Sequence, residues 1–207
     1  MRTSRSIRSL PPISLVVAIA ILLGSLSGCG LFDRDPGERV LIVGDSVTYM
    51  SSGPLKEDFS WADEVDIKAV SGLRTDELLP FAKEGLSHDP SSAVFMPGYN
   101  DVLQNRVNEA ALPQMMDLAA QVPCSVWLLI PDKGVYDPKI AQAWNQRVRD
   151  EAEGYPNVHV VDDWARLVDG SQQYALVKTE DGVHPNDLGR KAVAEVMAKS
   201  LQRECPD

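Results

Sequence analysis

Five short apolar runs alternate with segments of helical periodicity between residue 40 and the end of the chain. The first run, Val40-Leu41-Ile42-Val43, has no polar alternation, which is typical of a strand buried on both faces of a parallel sheet. Strands that alternate with helices form βαβ units with right-handed crossovers. The sequence therefore predicts an α/β protein, a three-layer α/β/α sandwich with a five-stranded parallel sheet.

The spacing of these runs predicts a sheet of flavodoxin type, with the strand order 2-1-3-4-5. Residues 47–63 are predicted as a short helix followed by a loop, and residues 162–180 as an irregular segment. The predicted strands cover residues 40–43, 65–70, 92–96, 125–130 and 158–161. Later helices are predicted to begin at Thr75 or Asp76, near Pro113, after Asp137, and at Asn186 or Asp187.

Polar residues and glycines follow the first three predicted strands. Ser46 comes directly after the first strand, Gly72 follows the second, and Asn100 follows the third. In the predicted strand order the switch point lies between strands one and three, so the loops carrying Ser46 and Asn100 should lie side by side. Ser46 is therefore a candidate reactive group, and the alternative is a turn in which this serine caps a helix.

A serine hydroxyl needs a base to accept its proton before it can act as a nucleophile. The chain has three histidines, and His88 and His159 are placed by the pattern at a helix end and inside a strand. His184 differs because Asp181 precedes it by three residues in the same turn, a spacing that lets the carboxylate orient the imidazole. The alternative for this pair is a turn residue and a helix cap.

Acyl transfer through a serine also needs hydrogen-bond donors for the oxyanion of a tetrahedral intermediate. Gly72 offers an unshielded backbone N–H, Asn100 a side-chain amide, and Ser46 its own backbone N–H. All three are predicted at carboxyl ends of strands, on one rim of the sheet. Taken singly, a glycine such as Gly72 is more often an ordinary turn residue, and an asparagine such as Asn100 an ordinary loop residue.

Four short segments together resemble the four sequence blocks of the SGNH (GDSL-like) hydrolases, in order. They are "GDSV" at 44–47, Gly72, "GYND" at 98–101 and "DGVH" at 181–184, and the likeness covers residues 39–203. The resemblance implies that Ser46 is the nucleophile, His184 the base and Asp181 its orienting partner. It implies that Ser46, Gly72 and Asn100 donate to the oxyanion, and that the protein is a serine esterase without a cofactor. The sequence departs from the family pattern in two ways. Valine replaces leucine after Ser46, and the chain lacks an inserted domain that would enclose a long acyl chain.

The substrate expectation comes from a second likeness. The segments "NVHVVDDW" and "DGVHPNDLG" are similar to SGNH domains attached to bacterial cell-surface O-acyltransferases. This favours acetyl or short acyl esters, on envelope polysaccharide or peptidoglycan. An O-acyltransferase with the same site, or a non-catalytic glycan-binding lipoprotein, are the alternatives. The aromatic residues Tyr49, Trp61, Tyr136 and Trp164 are candidates either to contact a sugar or to pack in the core.

The first 28 residues are typical of an export signal. Three arginines precede an apolar stretch from Ile13 to Leu23, which is short for a membrane span. The following Leu26-Ser27-Gly28-Cys29 resembles a bacterial lipoprotein signal, whose cysteine is lipidated. We therefore expect a signal peptide at 1–28, a tether at 29–38 and the hydrolase domain at 39–207, on the outer face of the cytoplasmic or outer membrane. A plain secretory signal or an uncleaved anchor are the alternatives.

Charge and cysteine content restrict the partners. The formal net charge of −10 becomes −13 without the three arginines of residues 1–28, which argues against nucleic acid or anionic lipid as a partner. Cys124 and Cys205 remain after Cys29, and both are predicted at the amino-terminal edge of the sheet, where an exported chain permits them to pair. The chain has neither a CxxC nor an HExxH motif, so no metal site is predicted.

Overall fold

Five parallel strands form the centre of the protein in the computed structural model, which describes residues 37–206 apart from positions 107, 135, 171–174 and 178–180. Their order is β2-β1-β3-β4-β5, and each neighbouring pair is parallel, which confirms the predicted fold. The strands are β1 Arg39–Gly44, β2 Glu64–Ala69, β3 Ser92–Met96, β4 Cys124–Leu128 and β5 Val158–Val161.

The helices of the described residues cover the sheet. They are α1 Ser46–Met50, α2 Ser52–Asp58, α3 Thr75–Leu86, α4 Tyr99–Leu103, α5 Ala111–Ala119, α6 Pro138–Ala152, α7 Asp163–Gly170 and α8 Asp187–Glu204. Helix α3 packs against β1, β2 and α5, and α8 packs against β3, β4 and α2. In this strand order the chain moves from β1 to β2 in one direction along the sheet and from β2 to β3 in the other. Because both connections are right-handed, their helices lie on opposite faces, and helices flank the sheet on both sides. Among the described helices, none has the length and apolar character needed to cross a bilayer.

The core lies in and around the central strands. All five residues of β3 and the last five of β1 are buried, as the unbroken apolar run predicts. The stack of Phe95 on Trp127, with ring centroids 5.8 Å apart, joins β3 to β4. This rigid centre fixes the loops that leave the carboxyl ends of β1 and β3.

Three helices, α2, α4 and α7, differ from the expectation, which placed Tyr99–Leu103 (α4) in a loop after the third strand. The predicted irregular segment 162–180 contains α7, whose Trp164, Ala165 and Val168 are buried. Trp164 donates a hydrogen bond from Nε1 to the Tyr99 hydroxyl at 2.6 Å, so a long-range contact supports a helix too short to be stable alone. Residues 47–63 contain two helices rather than one, because Leu55 and Phe59 are fully buried in the core.

A disulfide joins Cys124, at the start of β4, to Cys205, directly after α8, across 81 residues of sequence. A cross-link over so long a loop restricts the unfolded chain, and its loss typically lowers the free energy of unfolding by roughly 2–5 kcal/mol. We expect the Cys124→Ser/Cys205→Ser variant to unfold at a lower urea concentration than the wild type. Dithiothreitol should lower the wild-type midpoint in the same way and leave that of the variant unchanged. Equal midpoints for the oxidised wild type and the variant would contradict this prediction.

The predicted signal peptide at 1–28, the lipidation candidate Cys29 and most of the tether at 29–38 lie outside the described residues.

Candidate active site

The start of α1, directly after β1, and the segment between α7 and α8 bring Ser46 and His184 together at the carboxyl edge of the sheet. The Ser46 hydroxyl lies 2.8 Å from His184 Nε2, although the two residues are 138 positions apart in the sequence. Ser46 is the first residue of α1 and is only 4% exposed. The geometry thus gives this hydroxyl a nitrogen partner within hydrogen-bond reach.

Asp181 contacts the other side of the same imidazole. Its Oδ2 lies 2.5 Å from His184 Nδ1, and its Oδ1 accepts hydrogen bonds from the backbone N–H groups of Val183 and His184, each at 3.0 Å. These backbone contacts fix the carboxylate within one tight turn. An N–H at Nδ1 facing Asp181 leaves Nε2 as the acceptor that faces Ser46.

The site is open to solvent on the histidine side. The side chains of His184 and Asp181 are 31% and 51% exposed, in contrast to the buried Ser46. Water therefore has access to the imidazole. In this arrangement the imidazole can accept the proton of the hydroxyl, and the carboxylate can stabilise the resulting imidazolium.

Asn100 lies at the start of α4, after β3, and is 8% exposed. Its Nδ2 donates one hydrogen bond to the Leu73 carbonyl at 3.1 Å. Because an amide nitrogen carries two hydrogens, this contact orients the group and leaves a second N–H to donate elsewhere.

Gly72 follows β2 in a left-handed conformation, with φ of +83°, which favours glycine. Its carbonyl accepts a hydrogen bond from Gln104 Nε2 at 3.4 Å. The contacts of Leu73 and Gly72 with residues of α4 and the turn after it join the loop after β2 to the loop after β3. Ser46, Gly72 and Asn100 therefore follow the carboxyl ends of three neighbouring strands, β1, β2 and β3, at one edge of the sheet, as predicted from the strand order.

Two buried carboxylates, Asp45 and Asp101, lie next to these residues, and no sequence pattern assigns them a role. Asp45 accepts hydrogen bonds from the backbone N–H groups of Val47 at 3.2 Å and Tyr99 at 3.1 Å. Asp101 accepts from both the backbone N–H and the hydroxyl of Thr75 at 2.9 Å, and so holds the start of α3 against α4. Their positions directly beside Ser46 and Asn100 were the only signal in the sequence.

Burial raises the pKa of Asp45 from 3.8 to about 7, against the hydrogen bonds from the backbone of Val47, Tyr99 and Asn100 and with the help of the neighbouring Asp101 charge. Burial also raises the pKa of Asp101. A carboxyl with a raised pKa binds its proton more tightly in the folded than in the unfolded chain. Its contribution to the free energy of unfolding is therefore fully present below about pH 4 and falls as the pH rises to about 7.

Asp45→Asn removes this titration. We expect the difference in melting temperature, variant minus wild type, to become more positive between pH 5 and pH 8. Thermal unfolding followed by circular dichroism across this range provides the measurement. A difference that stays constant with pH would show that Asp45 titrates at the same pH in the folded and unfolded chains.

Apart from Tyr49, the following candidate residues lie away from this site or in the core. His88 is exposed and lies 3.0 Å from Asp66, and His159 lies on the edge strand β5. Trp164 and Tyr136 are buried, whereas Tyr49, one turn after Ser46 on α1, is 57% exposed. In the described segments, no group of three or more histidine, cysteine, aspartate or glutamate side chains is arranged to hold a metal ion.

Solved structures share this fold at low sequence identity. A lipase/acylhydrolase from Enterococcus faecalis superposes with a TM-score of 0.67 at 15% identity, covering 82% of this chain and 98% of that one. The psychrotrophic esterase EstA from Pseudoalteromonas sp. gives a TM-score of 0.60 at 16% identity, with coverage of 79% and 95%. The acetyl xylan esterase Axe2 from Geobacillus stearothermophilus gives 0.58 at 19% identity, with coverage of 81% and 94%. These similarities show the fold.

A comparison with curated protein sequences finds no significant match. The sequence model of the GDSL-like lipase/acylhydrolase family, in contrast, matches residues 42–192, which include Ser46, Gly72, Asn100, Asp181 and His184. This match spans most of the chain and both halves of the site. The chain belongs to the GDSL-like lipase/acylhydrolase family.

Proposed function

We propose that the protein hydrolyses acyl esters through an acyl-enzyme on Ser46. The observation that carries the proposal is the continuous contact from the Ser46 hydroxyl through His184 to Asp181, with distances of 2.8 and 2.5 Å. Two of these groups belong to one turn, and the third comes from the opposite end of the domain. Such an arrangement supplies a nucleophile, a base and an orienting carboxylate for acyl transfer.

In the first half of the reaction, Ser46 Oγ attacks the carbonyl carbon of the ester while His184 Nε2 accepts the serine proton. The tetrahedral intermediate collapses when its alcohol oxygen leaves and takes the proton from the imidazolium. The products are an acyl ester on Ser46 and a free alcohol. Asp181 stabilises the positive charge on His184 during this step and keeps the ring in the required tautomer.

In the second half, water enters from the exposed side of His184, which accepts one of its protons. The hydroxide attacks the acyl carbon, the C–O bond to Ser46 breaks, and the imidazolium returns its proton to Ser46. The released product is a carboxylic acid. The balance of the two halves is one ester and one water converted to one acid and one alcohol.

The oxyanion of both intermediates accepts hydrogen bonds from the backbone N–H groups of Ser46 and Gly72 and from Asn100 Nδ2. The contact of Asn100 with the Leu73 carbonyl supports this role, because it holds the amide in place before the substrate arrives. The surroundings of Gly72 support it too, since a Cβ at this position would meet no atom of the described residues within 4 Å, its two chain neighbours aside.

The proposed substrates are acetyl or short acyl esters of cell-envelope glycans. A relative by fold is named as an acetyl xylan esterase, and the exposed Tyr49 lies one turn from Ser46, where an aromatic ring can pack against a sugar. The lipoprotein-like segment ending at Cys29 supports a location on the outer face of a membrane. A tether of about ten residues would keep the domain within roughly 30 Å of that surface.

The substrate proposal is tested with p-nitrophenyl esters of increasing acyl length and with an acetylated glycan. We expect acetate to be the preferred acyl group, and acetate to be released from the glycan as free acid. Transfer of acetate to an added sugar acceptor at a higher rate than its release to water would overturn hydrolysis in favour of the O-acyltransferase alternative.

The membrane anchor is tested separately in bacterial cells supplied with labelled palmitate. We expect the full chain to incorporate the label and the Cys29→Ser variant to remain unlabelled, because a lipidated protein needs this thiol. Cys124→Ser/Cys205→Ser, which retains Cys29, is the matched control. A labelled Cys29→Ser variant would exclude Cys29 as the attachment site.

A further inference from the structure

The feature that the proposed mechanism leaves unused is the fully buried carboxylate of Asp45. It lies between the end of β1 and the start of α1, directly before Ser46. One of its oxygens, Oδ1, accepts the Val47 backbone N–H at 3.2 Å, and the other, Oδ2, accepts the Tyr99 backbone N–H at 3.1 Å. Each oxygen thus contacts the first turn of a different helix, α1 or α4.

The first turns of these two helices carry two of the proposed oxyanion donors. Val47 directly follows Ser46, and Tyr99 directly precedes Asn100. The strands that precede them, β1 and β3, are paired up to Gly44 and Met96, and this pairing ends before the helices begin. The Asp45 side chain therefore links the starts of α1 and α4 just beyond the end of the pairing between β1 and β3.

The geometry points to Asp45 as a positioning residue, which holds the Ser46 backbone N–H and the Asn100 amide at the spacing required to bind one oxyanion. This inference rests on the proposed function. It concerns a residue that contacts neither the substrate nor the reacting atoms and acts through its two neighbours.

A carboxylate is suited to this role because it has two acceptor oxygens and no donor when ionised. A serine would still cap α1 through Val47, but its single oxygen cannot also reach Tyr99. An asparagine offers one acceptor and places an NH₂ group against the second backbone N–H. Neither neutral residue would bury a charge, whereas burial of the Asp45 carboxylate is unfavourable and raises its pKa. The carboxylate therefore lowers the free energy of unfolding, but it holds two backbone N–H groups at once.

The test uses the full chain carrying Asp45→Ser or Asp45→Asn, with kcat and KM measured for p-nitrophenyl acetate at pH 8. Complete loss of an oxyanion donor typically lowers kcat 10²- to 10³-fold, so displaced donors should lower it by roughly 10- to 100-fold. KM should stay within about twofold, since the interaction belongs to the transition state. A boronic acid that mimics the tetrahedral intermediate should lose affinity in parallel with kcat.

The matched control is Ser125→Ala, which removes a buried side-chain hydrogen bond of 2.7 Å to the Ala119 carbonyl at the opposite end of the sheet. It should lower the melting temperature and leave kcat unchanged. A purely structural role for Asp45 would make its variants behave like this control. Loss of the folded state in both Asp45 variants would likewise assign Asp45 to folding and overturn the inference.

A double-mutant cycle with Asn100→Ala identifies the route of the effect. If Asp45 acts through Asn100, replacing Asp45 should cost several-fold less in the Asn100→Ala background than in the wild type. The same factor in both backgrounds, or wild-type kcat in both Asp45 variants, would overturn the inference. Ser46→Ala, measured in the same assay, distinguishes failure of the proposed function from failure of the inference about Asp45. Full activity in that variant would reject the proposed function itself.

Discussion

Replacement of Ser46 with alanine is expected to lower kcat/KM for p-nitrophenyl acetate by roughly 10⁴-fold or more. The change removes the only atom that can form the acyl-enzyme in the proposed mechanism and leaves the backbone N–H of residue 46 in place. Alanine is smaller than serine and fits the same buried space, so the variant should preserve the fold. It loses the hydroxyl and with it the contact with His184. The residual rate should resemble that of oxyanion binding alone.

The measurement combines steady-state rates with mass spectrometry of the intact chain. A phosphonate ester should add one phosphonyl group to Ser46 of the wild type and none to the variant. The matched control is Ser52→Ala, a change six residues later, whose hydroxyl donates to the Tyr49 carbonyl at 2.6 Å and does not contact His184. Comparable rates for wild type and Ser46→Ala would reject Ser46 as the nucleophile.

The second large effect is expected for His184→Ala, again roughly 10⁴-fold in kcat. Without the imidazole, the proposed mechanism lacks the group that accepts the proton of Ser46 in the attack and gives it to the leaving alcohol. The carboxylate of Asp181 cannot replace it, because both of its oxygens are directed to the His184 ring and to backbone N–H groups of the same turn.

The other two histidines are the matched controls for this change. His88→Ala removes the contact with Asp66, and His159→Ala changes the edge strand β5, so both should keep wild-type kcat. Imidazole added to the buffer should restore part of the activity of His184→Ala and none of that of Ser46→Ala, since a diffusible base can replace a proton acceptor but not a nucleophile. If His184→Ala retained full activity, the assignment of the base would be wrong.

The fold was predictable from the sequence because its determinants are local or additive. An uninterrupted apolar run such as Val40 to Val43 is compatible with a doubly covered strand, and alternation with helices restricts the order and handedness of the connections. The prediction failed where stability depends on distant partners. Helix α7 has an amphipathic pattern, with Trp164, Ala165 and Val168 on its buried side, but it is short, and its supporting hydrogen bond comes from Tyr99, 65 residues away in the sequence.

The candidate site divides in the same way. Asp181 and His184 are three residues apart, so their contact follows from the geometry of one turn and could be inferred from spacing. The part played by Asp45 could not, because its hydrogen-bond donor Tyr99 is 54 residues away in the sequence. The orienting contact of Asn100 uses the Leu73 carbonyl, a main-chain atom that every residue carries and that therefore leaves no trace in the sequence.

By itself, the sequence determined the layered α/β architecture, the family resemblance and the residues able to perform the chemistry. Periodicity and residue type depend on near neighbours, so they can be read directly from the chain. Only the tertiary structure decided that the Ser46 hydroxyl meets His184 at 2.8 Å, that Cys124 and Cys205 are joined, and that Asp45 links the starts of α1 and α4. These contacts bring together groups far apart in the chain, and their distances and directions exist only after the sheet has assembled.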